Sequence, residues 1–154
     1  MNRFKYWIQS KFRKRLKIDT LNAQYHDPME QLLHVNFQVL VDFIDGESEY
    51  ISKINWDATP EHQRAYSEMI ELYVWWRVGR PNRVDPMDNP DLIHPDMEFK
   101  EMPDGNYLWI PWDENKYPEF MSAMKESSRL DIEWWEEDQH NLHRLIDIRS
   151  FLWT

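Results

Sequence analysis

The sequence is poor in three features on which many proteins depend. It has no cysteine, which excludes disulfides, thiolate metal ligands and cysteine nucleophiles. Its three glycines are far apart, so a glycine-rich loop that holds a phosphate is excluded as well. No apolar run approaches the roughly 18–20 residues of a membrane span, and the first residues lack the apolar core of a signal peptide. These absences predict a soluble, cytoplasmic protein.

Aromatic side chains, in contrast, are abundant. They form 15% of the 154 residues, in a chain that is 42% hydrophobic and 30% charged. Each buried aromatic side chain removes roughly 150–250 Å² from water, so a few of them replace many aliphatic residues in a core. The length suits one domain of ordinary size, and the composition is that of a globular chain.

Charge is distributed unevenly along the chain. Residues 1–18 contain seven cations and no acid, and the net charge of −10 for the whole chain therefore leaves −17 for residues 19–154. We interpret residues 1–18 as a basic amphipathic helical arm and residues 19–154 as one acidic helical domain. The arm either docks its apolar side on the body or contacts nucleic acid, a membrane surface or an acidic protein. The arm residues predicted to contact an anion are Lys11, Arg13, Lys14, Arg15 and Lys17.

Proline-containing start signals predict three helices. Proline follows a capping side chain at 27–28 and at 59–60, and a looser version of the signal occurs at 117–118. Gly46 and Gly79 mark the ends of the first two helices. The predicted helices cover residues 28–45, 60–78 and 118–152. The adjacent serines at 127–128 are expected to break or fray the third helix.

Two pairs of adjacent tryptophans lie in the second and third predicted helices. Neighbours on a helix point about 100° apart, so the members of a pair cannot face the same way. The helical period places Trp76 and Trp135 at the centres of the buried stripes, with Trp75 and Trp134 on one shoulder. A shoulder tryptophan either widens the buried face or binds a partner. The other predicted stripe residues are Met29, Leu33, Leu40, Phe43 and Ile44, then Ala65, Met69 and Leu72, then Met121, Met124, Ile132, Leu142, Ile146 and Trp153.

An unusual connection joins the second helix to the third. Residues 79–118 hold seven of the nine prolines, which excludes helix and central strand over most of this length. The turn signal at 103–105 lies between apolar segments at 97–102 and 106–110 and predicts a short β-hairpin. We expect 80–117 to wrap over one face of the helices, because it is too aromatic for a free linker. The predicted fold is mainly α: a three-helix core, the basic N-terminal helix and this proline-rich connection.

The third helix carries the densest group of side chains that can bind a metal. Glu137, His140 and His143 are spaced three residues apart, with Glu136 and Asp147 one turn away. A carboxylate site between two helices needs a second Glu-x-x-His, which is missing. We therefore predict a solvated flank with no metal and no cofactor. A metal-dependent enzyme is the alternative.

Other polar residues of the helices do not complete a catalytic group. Glu30 and His34 are four residues apart on the first helix, and His34 is predicted on its polar side. Asp42 and Asp138 lie near apolar faces, where two carboxylates could form an acid–base pair if they met. Since nothing in the spacing brings them together, no catalytic residue is predicted.

Three arginines follow the first tryptophan pair at a spacing of three: Arg77, Arg80 and Arg83. Guanidinium groups beside aromatic rings are suited to anions and to partner surfaces. The alternative, which we favour, is that they pair with the three aspartates of residues 85–91 just downstream.

Three short segments carry a resemblance to a known group of proteins. Residues 37–43 (FQVLVDF), 72–76 (LYVWW) and 80–81 (RP) resemble small uncharacterised proteins of tailed bacteriophages. The likeness covers residues 25–85 and rests on aromatic and aliphatic positions. It implies a phage product that acts in the cytoplasm of a bacterial host or is assembled into a virion. It implies no activity and no catalytic residue.

The sequence as a whole favours a non-enzymatic interaction protein, such as a phage accessory factor that binds a host or phage protein. An acidic nucleic-acid mimic and a structural component of the virion are the main alternatives. A protein partner is expected, and the oligomeric state stays open. The residues predicted to bind the partner are Trp75, Trp134, Arg77, Arg80 and Arg83.

Deletion of residues 1–18 separates the two hypotheses for the arm. An interaction arm should leave the body folded when it is removed, and binding to an anionic partner should then fall sharply. In the intact protein that binding should weaken steeply with salt, because exposed charges are screened beyond about 10 Å at 0.1 M. A docked arm should instead lower the melting temperature on removal. Thermal melting measures the loss of stability, and binding measurements at a series of salt concentrations measure the loss of anion binding.

Overall fold

The structure is a computed structural model that describes residues 17–21, 25–46 and 51–153. All of the predicted arm except its last two residues lies outside this part of the chain. By their internal contacts, Met1–Asn82 and Asp138–Thr154 group into one compact unit, the core unit, and Arg83–Glu137 into a second, the hairpin unit. The prediction of one domain over 19–154 stays a prediction. Within the described ranges, no helix has the length and apolar character that a membrane crossing requires.

The fold is mainly α with one small antiparallel hairpin, which confirms the predicted fold class. The three main helices are α1 at Pro28–Gly46, α2 at Pro60–Val74 and α3 at Pro118–Ile148. The strands are β1 at Glu98–Glu101 and β2 at Tyr107–Ile110. Short 3₁₀ turns lie at Arg80–Asn82, Pro86–Asp88 and Arg149–Trp153. A π-helical turn at Trp75–Gly79 directly follows α2.

All three main helices begin at the prolines that the sequence indicated. Asp27 caps α1 by accepting a hydrogen bond from the Met29 amide at 2.8 Å, and Thr59 caps α2 by accepting one from the His62 amide at 3.3 Å. These side chains satisfy amide groups that have no partner inside the helix. Proline at the next position costs nothing, since its missing N–H would have been unpaired there.

The predicted break in the third helix is wrong, because α3 is continuous through 127–128. The hydroxyl of Ser127 donates to the Asp85 carboxylate at 2.9 Å, and that of Ser128 donates to the Met124 carbonyl at 2.9 Å. A serine hydroxyl that bonds the carbonyl four residues earlier is compatible with helical backbone. The two serines therefore lie within the helix without interrupting it.

The π-helical turn explains why α2 does not end as a regular helix at Gly79. The amide of Arg80 donates to the carbonyl of Trp75, five residues earlier instead of four. A Cβ atom at Gly79 would lie 3.3 Å from the Trp75 ring. Glycine at this position therefore lets the backbone of the widened turn pass close to an indole.

The hydrophobic core of the core unit is built from α1, α2 and the last part of α3. The stripe predicted for α2, consisting of Ala65, Met69, Leu72 and Trp76, is fully buried, and Trp76 is only 3% exposed. The Trp76 indole is stacked on Phe37 with ring centroids 4.5 Å apart. The other buried members of this core are Leu33, Leu40, Val41, Leu142, Leu145, Ile148 and Leu152.

The buried face of α1 differs from the predicted stripe. Met29 is exposed, whereas Phe37 and Val41 are buried. His34 and Gln38 are also buried, which corrects the placement of His34 on the polar side. The predicted stripe thus left out two apolar residues of the buried face, and it left out two polar ones because a search for apolar periodicity does not include them.

The stripe predicted for α3 is also partly misplaced. Trp135, predicted at the centre of the buried stripe, is 56% exposed, and Ile132 is exposed as well. Asp138 and Asn141 are buried instead, in register with Leu145 and Ile148. Leu142 is buried as predicted, so the buried face keeps this residue but runs through Asp138, Asn141 and Leu145 instead of Trp135 and Ile146.

In the hairpin unit, residues that precede and follow the hairpin pack on the first part of α3. Trp112 contacts Phe120 edge-on with ring centroids 5.0 Å apart, and His94 contacts the same ring at 5.6 Å. The strands between these ends are exposed at every residue. The connection therefore packs on its helix through its flanks and not through its hairpin.

We predict that Trp76→Ala lowers the free energy of unfolding by about 3–5 kcal/mol, because it empties a well-packed site. Trp135→Ala should change it by less than about 0.5 kcal/mol, since an exposed side chain loses few contacts. Denaturant unfolding of both variants measures the difference. Equal losses at the two positions would contradict the burial described here.

Candidate functional site

The β-hairpin is held by a tight turn at 103–105. The amide of Gly105 donates to the Met102 carbonyl at 2.9 Å, and the amide of Met102 donates to the Asn106 carbonyl at 2.8 Å. Gly105 has a φ of 82°, a conformation that glycine adopts without strain. The Asp104 carboxylate accepts a hydrogen bond from the Asn106 amide at 3.1 Å. Turn chemistry thus fixes the register of the strands.

The register gives the hairpin one aromatic side. Phe99 lies opposite Trp109, and Glu101 lies opposite Tyr107. Because side chains alternate between the two sides of a strand, these four residues share one side. We call Phe99, Tyr107 and Trp109 the aromatic face. Their exposed fractions are 55%, 68% and 42%, although aromatic residues are usually well covered.

The base of the hairpin is anchored to the helix of its own unit. Trp112 contacts Trp109 edge-on with ring centroids 5.2 Å apart, and on the helix it contacts Phe120. Its indole N–H donates to the Asp96 carbonyl at 3.0 Å. This chain of contacts positions the aromatic face while leaving its rings exposed.

The hairpin unit is also strongly acidic. Residues 83–137 contain fifteen aspartates and glutamates but only five lysines and arginines, which gives a net charge of −10. Several of these cations already pair within the unit, as in Lys125 with Glu114 and Arg129 with both Glu126 and Glu133. Even if every cation of the unit pairs with one carboxylate, ten carboxylates have no cation within the unit. The electrostatic potential of the unit therefore favours cationic ligands.

Among the described residues, the three predicted arginines form ion pairs with acids distant in sequence and not with the aspartates of residues 85–91. Arg77 lies 2.6 Å from Asp45, Arg80 lies 3.2 Å from Asp138, and Arg83 lies 2.6 Å from Glu137. The expectation of local pairing is therefore wrong. The partners are 32, 58 and 54 residues away and reach the arginines only through tertiary packing.

The two shoulder tryptophans are half-buried. Trp75 packs on Phe37 with ring centroids 5.1 Å apart, and the guanidinium of Arg83 lies 5.7 Å from the centroid of the Trp134 ring. Both positions fit a side chain that widens a buried face. Their role in partner binding stays a prediction. Of the five arm residues predicted to contact an anion, only Lys17 belongs to the described part, where it is exposed.

A partly buried polar network lies beside Trp76 in the core unit. The Thr20 hydroxyl is 2.6 Å from Nδ1 of His34, and Nη1 of Arg80 is 3.5 Å from its Nε2. Arg80 in turn binds the Asp138 carboxylate. Burial, and secondly the positive charge of Arg80, lower the pKa of His34 below its ordinary value of 6.5. Both effects favour the neutral imidazole in the folded state.

The residues weighed as a metal site are not gathered around one point. His140 and His143 are exposed, and Glu137 is bound to Arg83. In the described ranges, no three His, Cys, Asp or Glu side chains are grouped so that they could hold a metal ion.

No family model, curated protein or solved structure matches this chain. The candidate site therefore rests on the residues themselves, and the resemblance to phage proteins stays a prediction. The sequence predicted the hairpin but not its exposed aromatic face. The signal was present in the alternation of large side chains at 107 and 109 opposite Phe99, which places them on one side once the turn is known.

We predict that the protein loses stability as the pH falls from 6.5 toward the lower pKa of folded His34. In that window the unfolded state binds more protons than the folded state, so protonation favours unfolding. Urea unfolding at pH 7.5 and about 5 measures the loss. His34→Gln should reduce the difference between the two pH values, whereas His140→Gln, at an exposed position, should retain it. A difference unchanged in His34→Gln would exclude the buried imidazole as its source.

Proposed function

We propose that this protein is a non-enzymatic interaction protein that binds a protein partner through its β-hairpin. The observation that carries the proposal is the exposure of all eight strand residues, five of which are hydrophobic. Contiguous exposed hydrophobic surface on a folded protein marks a binding site. Those five residues are Phe99, Tyr107, Leu108, Trp109 and Ile110.

The residue types and their support favour protein recognition. Tyrosine and tryptophan anchor interfaces because they bury a large area and lose little conformational entropy. The anchor of Trp112 on Phe120 holds the hairpin in place before any partner arrives. A preorganised surface loses less entropy on binding than a mobile one.

The resemblance to bacteriophage proteins supplies the cellular context of the proposal. The partner is then a protein of the bacterial host or of the phage, and the protein acts as an accessory factor in the host cytoplasm. A virion component would use the same hairpin for contacts between copies of the chain. Self-association in sedimentation experiments distinguishes this case from binding to another protein.

A second candidate function, mimicry of nucleic acid, is favoured by the charge of the hairpin unit. Its net charge of −10 over 55 residues has the sign of the charge on a phosphate backbone. A mimic would occupy a site meant for DNA. Duplex DNA should then displace the protein from its partner, whereas a partner bound elsewhere is unaffected by DNA.

Affinity capture from a bacterial lysate tests the proposed function. The wild-type protein should retain a partner in near-stoichiometric amount, and Tyr107→Ser/Leu108→Ser should retain much less of it, since it makes both sides of the hairpin more polar. Quantitative mass spectrometry measures the retained protein.

The matched control is Ile132→Ser/Trp135→Ser, which removes two exposed hydrophobic side chains from α3 in the same unit. It should retain the partner at the wild-type level. Circular dichroism verifies that both variants are folded. Equal retention by the hairpin variant and the wild type would contradict the proposed surface.

A further inference from the structure

We infer that the aromatic face of the hairpin binds an arginine- and lysine-rich segment of its partner. The inference rests on the proposed function and names the chemistry of the partner. Three independent features carry it: the exposed rings, the carboxylates around them, and a contact that the protein repeats elsewhere.

The repeated contact is a cation placed over an aromatic ring and bound to a carboxylate. Three arginines of the chain are held this way, within 5.1–5.8 Å of a ring centroid. The carboxylate holds the guanidinium in place by hydrogen bonds, and the face of the aromatic ring attracts the positive charge of the guanidinium. The three sets are Arg77 with Tyr73 and Asp45, Arg80 with Trp76 and Asp138, and Arg83 with Trp134 and Glu137.

The aromatic face offers the same ring and carboxylate without the cation. Glu101 lies directly opposite Tyr107 on the same side, a separation of about 5 Å between Cβ atoms. Phe99 and Trp109, the next pair along the strands, extend the aromatic surface. Among the described residues, no cationic side chain lies over any of these three rings. A cation from another molecule would complete the set.

The charge of the hairpin unit selects among ligands that favour aromatic surfaces. Exposed rings also stack with nucleic acid bases, but the phosphates that accompany those bases are repelled by a net charge of −10. An anionic membrane surface is disfavoured for the same reason. A cationic peptide is attracted by the unit and recognised by the rings. Arginine fits best, because its planar guanidinium can stack on a ring and bind a carboxylate at the same time.

The test uses the full-length protein and a fluorescent peptide of alternating arginine and glycine. Fluorescence anisotropy gives the dissociation constant for the wild type and for Phe99→Ala/Tyr107→Ala, which spares Trp109 and its contact with Trp112. We expect the double variant to bind the peptide about tenfold more weakly. The matched control Ile132→Ala/Trp135→Ala should change the affinity less than about twofold.

Both double variants keep the net charge of the chain, so attraction by general acidity is the same in each. Equal binding by the two would therefore overturn the inference. Preferential binding of a single-stranded oligonucleotide, lost in Phe99→Ala/Tyr107→Ala, would overturn it in favour of base stacking.

Two further variants keep the result interpretable if the double variant is poorly folded. Tyr107→Leu retains an exposed hydrophobic side chain but removes the ring face, and it should weaken peptide binding by several-fold. Glu101→Gln removes the carboxylate of the set and should also weaken it. Wild-type affinity in both would contradict the inference.

This outcome is distinguishable from failure of the proposed function. If the hairpin retains a partner from the lysate while the arginine peptide does not bind, the interaction function stands and only the chemistry of the partner is wrong. If neither the partner nor the peptide depends on the hairpin, both proposals fail.

Discussion

The buried indole of Trp76 is contacted by residues from several parts of the core unit. Phe37 stacks on it from α1, His34 meets it edge-on at 4.8 Å, and Arg80 lies 5.1 Å from its centroid. Arg80 is in turn held by Asp138 of α3. One side chain therefore joins the apolar core to the polar network, and the positions of three helices depend on it. Because Arg80 and Asp138 are largely buried, loss of either would break an ion pair that water screens poorly, which is costly to the stability of the fold.

The two units use charge in opposite ways. Since the whole chain and residues 83–137 have the same net charge of −10, the remaining residues sum to zero. The seven cations of residues 1–18 supply this balance. The helices of the core unit also pair charges across their contacts, as Arg144 does with Glu68 and Glu71. The excess of carboxylates in the hairpin unit cannot pair internally. That excess suits a surface that meets a cationic partner.

Local signals predicted a large part of this fold. The starts of the helices follow from proline and a capping side chain, and the hairpin follows from the turn at 103–105, because each depends on residues adjacent in sequence. The stripe of α2 was also predicted, since it contains only apolar residues. The stripes of α1 and α3 were misplaced in part, because they left out apolar residues such as Phe37 and Leu145 and because polar residues such as His34 and Asp138 also face the core. Their burial is tolerated only because tertiary partners satisfy them, and no local pattern shows those partners.

The candidate site, like the fold, was predicted only in part from the sequence. The strands and the turn of the hairpin could be predicted from the sequence. It could therefore also be predicted that Phe99, Tyr107 and Trp109 lie on one side of the hairpin. Their exposure was not, because aromatic residues normally indicate burial. The ion pairs of Arg77, Arg80 and Arg83 could not be predicted from the sequence for another reason. Nearby aspartates were equally suitable by sequence, and only the packing of the helices selected distant ones.

The widened turn at Trp75–Gly79 has a consequence for how this lineage tolerates insertions and deletions. A π-helical turn is equivalent to one extra residue in an α-helix. Loss of one residue from 77–79 would restore the regular period and rotate Arg80 by about 100° relative to α2. Arg80 would then point away from Asp138, and the ring of Trp76 would lose its cation. A change of length is therefore poorly tolerated at this turn.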